Sequence, residues 1–165
     1  VLWKRTVING FQFDENLERF QDLDYHISIL SNKKYNITRL NEVDTYYRVE
    51  DDKAFSKSYI TTVIDSLNYF LKKYINQEFI KNKYSKNFKN LILFFLVNYL
   101  YPNYKIHKLG IHKIEVIIKD SKLFSSKELY LLKVKKKITT SGLINKKGLG
   151  VNKFNKLIMT ELRRE

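Results

Sequence analysis

Leu129-Tyr130-Leu131-Leu132-Lys133-Val134-Lys135-Lys136-Lys137-Ile138 is the stretch on which the fold turns. Leu132 and Val134 alternate with Lys133, Lys135 and Lys137, which is the period-two pattern of a strand with one apolar and one charged face. The pattern predicts a strand over Leu129 to Ile138. Upstream, Ile114, Val116 and Ile118 alternate in the same way and predict a strand near Ile111 to Ile118. The connection from Asp120 to Lys127 opens on the turn pair Asp120-Ser121. It is too short for a parallel crossover, which takes about a dozen residues or more. The two strands are therefore expected to pair antiparallel.

Helical spacing surrounds this pair. Ser85 can cap a helix in which Phe88, Leu91, Ile92, Phe95 and Tyr99 are in phase, with Pro102 marking its end. Val151, Phe154, Leu157 and Ile158 form a helical face close to the C-terminus. Further upstream, Asp51 or Asp52 can cap a helix carrying Phe55, Tyr59, Val63, Leu67, Phe70, Leu71 and Tyr74. In residues 1–50 the runs Tyr25 to Leu30 and Thr45 to Val49 have strand composition, and Asn9-Gly10 reads as a turn. The expected fold class is α+β, helices plus a small antiparallel sheet. Two regions are expected: residues 1–84, with a helix near 53–75, and residues 85–165.

Composition bounds the function. The chain has 165 residues, 44% hydrophobic and 15% aromatic, enough apolar side chain for a core and too much for a disordered tail. Cysteine is absent, which excludes disulfides and thiolate metal sites. The formal net charge of +14 favours a polyanionic partner. That charge is uneven: residues 1–52 carry 7 basic and 10 acidic side chains, whereas residues 53–165 carry 24 and 7. Between Lys133 and Lys156 there are eight lysines and no carboxylate. Lysine outnumbers arginine 25 to 6, asparagine reaches 15, and Ala54 and Pro102 stand alone in their types. This usage follows A/T-rich codons, so part of the lysine excess is a genome signature of an organelle, parasite, endosymbiont or virus.

The longest apolar run, Leu91 to Val97, has seven residues, against the ~20 needed to span a bilayer. The first residues lack both the apolar core of a signal peptide and the acid-poor character of a transit peptide, since Asp14, Glu15 and Glu18 follow closely. No membrane association is expected, and a protein working in an organelle would be made there.

Enzyme motifs fail on inspection. His26, His107 and His112 form no His-Glu-Xaa-Xaa-His pair. Ser141 lacks the flanking glycines of a nucleophile elbow, with Thr139 and Leu143 in their places. Gly142 to Leu149 misses the phosphate-loop spacing by one residue and has Leu149 where lysine belongs. No catalytic residue, metal or cofactor is expected.

Asn145-Lys146-Lys147-Gly148 supports a different reading: small or turn-tolerant residues let the backbone approach phosphates, and two lysines supply charge. The alternative is a plain Lys/Gly turn. With its flanks, from Ser141 to Leu157, the stretch resembles the KH-type-II region of the S-three family of small-subunit ribosomal proteins, with Asn145 in place of the first glycine. The resemblance implies a KH-like RNA-binding region over residues 85–165. It also implies that the sheet is completed by another polypeptide, because the sequence ends at Glu165, inside or just after the loop helix. The expected function is a structural rRNA-binding protein of the mitochondrial small ribosomal subunit. Its RNA contacts would be Lys133, Lys135, Lys136, Lys137, Asn145, Lys146, Lys147, Gly148, Lys153 and Lys156. Other ribosomal proteins are the further partners. Val151, Phe154, Leu157, Ile158 and Leu162 form an apolar stripe expected to face a second chain. A non-enzymatic accessory subunit of a respiratory or viral complex is the competing possibility.

Overall fold

Apolar residues three and four apart build the frame. The computed structural model describes residues 4–31, 57–143 and 151–162. In chain order these form α1 (Arg5–Ile8), α2 (Gln21–Leu30), α3 (Lys57–Tyr74), α4 (Ser85–Phe95), α5 (Lys108–Asp120), α6 (Ser126–Thr140) and α7 (Val151–Leu162). Two π-helical segments, Ile80–Tyr84 and Leu96–Leu100, flank α4. Helix α3 buries Ile60, Ile64, Leu67, Phe70, Leu71 and Tyr74 along one face. Phe88, Ile92, Leu96 and Leu100 face it at strict four-residue intervals. On a pure α-helix such a row would drift by about 40° per step. The π-helical turn, closed by the Tyr101 N–H donating to Leu96 O at 2.8 Å, absorbs the drift and keeps the last of these residues on the core. Ile111, Ile114 and Ile118 of α5, Leu132 and Ile138 of α6, and Ile158 and Leu162 of α7 complete the same core cluster, with Leu17 from the N-terminal segment.

The α+β expectation is overturned: among the described residues there is no strand, and the sheet required of a KH-type-II-like C-terminal half is absent. Tyr25 to Leu30 belongs to α2, Ile111 to Ile118 to α5, and Leu129 to Ile138 to α6. The physical reason is an ambiguity of period. Positions four apart share a face in both a strand and a helix, so Ile114 and Ile118 fit either. Ile111, three before Ile114, makes the series helical, and Val116 falls on the opposite face, 42% exposed. In α6 the buried series is Glu128, Leu132, Lys135 and Ile138, which crosses the supposed lysine face. The stretch Thr45 to Val49, the cap at Asp51 or Asp52 and the loop Asn145–Gly148 lie outside the described residues. The helices expected near 53–75, from Ser85 onward and near the C-terminus are α3, α4 and α7.

Two contacts fix the arrangement. Gly110 lies against Ile64, where an added Cβ would stand 2.6 Å from Ile64 Cγ2, so α5 crosses α3 at close range. The N-terminal segment is fastened to α3 by polar groups. Lys73 Nζ donates to Asp14 Oδ2 at 2.8 Å and stands 2.7 Å from Asp24 Oδ1, and the Tyr74 hydroxyl donates to Asp24 Oδ1 at 2.7 Å. The hydrogen bond from Lys73 holds Asp14 down at about 2. Burial is the larger influence on the Tyr74 phenol, pushing it up to about 12. Phe20 enters α2 with a left-handed backbone (φ 69°). Its ring packs on Phe70 and edge-on to Phe95, at centroid distances of 5.7 and 4.9 Å, which holds that conformation in place.

Candidate nucleic-acid interface

Helix α6 carries the lysine run, and its start is set by a reciprocal cap. Ser125 Oγ accepts from the Glu128 N–H at 3.3 Å, and Glu128 Oε2 accepts from the Ser125 N–H at 2.6 Å. Lys89 on α4 reaches the same carboxylate, its Nζ 2.9 and 3.1 Å from the two oxygens. Burial pushes the Glu128 carboxyl up, but the bonds from Ser125 and Lys89 outweigh it and leave its pKa below the ordinary value. Helix formation from this point distributes the lysines around the axis instead of aligning them.

Lys133 and Lys137 are exposed and, at positions four apart, share one face. Tyr130, 66% exposed, lies on that face one turn earlier. Lys135 is turned inward, only 3% exposed, and desolvation lowers its pKa. Lys136 is half-buried: its Nζ donates to Glu115 Oε2 at 2.8 Å and sits 3.9 Å above the Tyr104 ring. Lys153 and Lys156 are exposed on α7. Asn145, Lys146, Lys147 and Gly148 lie outside the described residues. Of the lysines expected to contact RNA, the fold thus presents Lys133, Lys137, Lys153 and Lys156 to solvent, and it engages Lys135 and Lys136 in packing.

Helix α5 adds further cationic residues to this surface. Lys108, His112 and Lys119 fall on one exposed stripe of α5, with Lys105 preceding it and Lys113 to one side. The Lys136–Glu115 pair ties α6 to α5 and sets the two basic stripes on adjoining helices. Among the described residues, none of Lys105, Lys108, Lys119, Lys133 or Lys137 is in an ion pair. Helical periodicity applied to 105–120 would have found this stripe, since its members recur at one-turn and three-turn intervals.

This surface offers the groups a phosphate-binding face needs: exposed cationic ends and one exposed ring, with Glu115 among them held by Lys136. Among the described residues no group of three His, Cys, Asp or Glu side chains is placed to hold a metal. No described helix is long and apolar enough to cross a membrane. No protein-family model, curated protein or solved structure matches the chain.

Proposed function

We propose that the chain is a structural RNA-binding protein of a ribonucleoprotein, with the mitochondrial small ribosomal subunit as the proposed assembly; its A/T-type residue usage suits an organelle, parasite, endosymbiont or viral genome equally. The observation that carries the reading is the pair of adjoining stripes on α5 and α6, whose Lys108, Lys119, Lys133 and Lys137 are in no ion pair among the described residues, with Tyr130 exposed beside them. Each lysine neutralises a phosphate and releases a counterion, so affinity falls steeply with salt, and contacts of this type read little sequence. Tyr130 adds a stacking face for an unpaired base. Other ribosomal proteins are the proposed neighbours, and catalysis is no part of the role.

The test is sedimentation of the tagged chain from organelle extracts at low and raised salt. Migration with the small ribosomal subunit, released by salt or ribonuclease, is the expected result. Fractionation with a membrane complex, indifferent to ribonuclease, would instead support an accessory subunit.

A further inference from the structure

Helices α6 and α7 leave an apolar groove between them. Lys127, at the start of α6, pairs with Glu161 near the end of α7, so the two helices run antiparallel. Two hollows of about 290 and 380 Å³ lie along the seam, and Phe154 lines both. Leu131 and Leu157 line the first, and Val134, Ile138 and Leu143 the second. Phe154 is 52% and Leu157 59% exposed, although Ile158 and Leu162 on the same helix are buried. Helix α7 thus spends one part of its apolar stripe on the core and holds out the other.

Cationic side chains accompany this groove. Lys137 lines the second hollow, and Lys133, Lys153 and Lys156, the sequence neighbours of the lining residues Val134, Phe154 and Leu157, stand exposed. The carboxylate lining the groove, Glu161, is already taken by Lys127. Along α6 the lining residues run from Leu131 to Ile138, about 10 Å of helix or two turns.

We propose that this groove docks an amphipathic helix of a partner protein, with apolar residues at i, i+3 or i+4 and i+7 on the docking face and Asp or Glu along both flanks. Charge complementarity selects this occupant. A second copy docked through the same groove would set its own Lys133, Lys137, Lys153 and Lys156 against these four. A phosphate backbone would lose hydration over Leu131, Val134, Phe154 and Leu157, with Lys137, Ser141 and Thr160 the donors that the lining has to offer in exchange. The inference goes beyond the RNA-binding reading and rests on the groove with its neighbouring lysines, of which Lys133 and Lys137 are shared with that reading.

The experiment uses the full chain and a fluorescein-labelled synthetic helix of about four turns, with leucine at the docking positions and glutamate on the flanks. Fluorescence anisotropy should show saturable binding. Leu157→Asp, on a half-exposed side chain, should weaken it by roughly tenfold or more while circular dichroism and RNA affinity stay unchanged. Lys153→Glu with Lys156→Glu should weaken it as well, and should gain affinity for a lysine-flanked version of the peptide. Absence of saturable binding, equal binding of the two peptides, or indifference to Leu157→Asp would overturn the proposal. So would a concentration-dependent dimer abolished by Leu157→Asp, which would give the groove to a second copy. Failure of the peptide to bind while RNA still binds would sink this inference and leave the RNA-binding reading standing.

Discussion

The Glu128 carboxylate receives Lys89 Nζ at 2.9 and 3.1 Å while it accepts the Ser125 N–H, so one buried side chain both starts α6 and binds it to α4. Removing it strands a largely buried cation. Glu128→Ala should therefore cost about 3–5 kcal/mol, against about 0.5–2 kcal/mol for Ser125→Ala, which removes only a cap bond. Denaturant unfolding of both variants, and of Lys89→Met with Glu128→Leu as a pair, checks this. The double variant should recover much of the loss.

A methyl group at position 110 meets Ile64. Gly110→Ala gains helix propensity of about 1 kcal/mol but forces α3 and α5 apart, with a net loss of about 1–3 kcal/mol. Ile64→Ala removes the clashing Cγ2. The double variant should consequently lose less than the sum of the single ones, as read from thermal melts.

Acid should loosen the N-terminal segment. Asp14 titrates near 3.8 when free and at about 2 in the fold, because Lys73 hydrogen-bonds to its ionised form. A depressed folded pKa contributes stability above the unfolded value and loses it as pH falls through the folded one. The contribution is full above about pH 4 and fades between pH 4 and 2. Asp14→Asn should flatten the pH dependence of unfolding in that window, and Glu128 acts in the same direction.

The lysines should separate by exposure. Replacing Lys133 or Lys137 with glutamine should reduce the slope of log affinity against log salt by about 0.7–0.9 for each phosphate that is no longer neutralised. Lys135→Gln should leave RNA affinity and slope unchanged, since its ammonium is packed inside. Filter binding with a single-stranded RNA at several salt concentrations makes the comparison. An equal effect at all three positions would contradict the helical placement.

Where the sequence was legible, the apolar spacing was unambiguous: Tyr59, Val63, Leu67, Phe70 and Tyr74 cannot be read with period two. Ile114, Val116 and Ile118 can, and so can Leu132 and Val134 among lysines. The signal that decides α6 was present in Ser125-Ser126-Lys127-Glu128, a cap pattern standing directly before the apolar run. The burial of Lys135 and the engagement of Lys136 were not legible, because every lysine in a run of three carries the same local signature. Only the positions of Glu115 and Tyr104 on neighbouring elements distinguish them. The uncovered half of the α7 stripe was legible in part: Phe154 and Leu157 are exposed as expected, whereas Ile158 and Leu162 found cover within the chain.

The π-helical segments give the rod around α4 a tolerance for changes in length. A π-helical turn holds a residue more than an α-helical one, so a single deletion within Leu96–Leu100 can be met by tightening to α-helix, with neighbours on either side staying in phase. Helix α3 has no such slack. A deletion there rotates every following core position by about 100°, taking Phe70 and Tyr74 off the face that meets Phe88 and Asp24. Insertions and deletions between related chains should accordingly gather at Ile80–Tyr84 and Leu96–Leu100 and avoid Lys57–Tyr74.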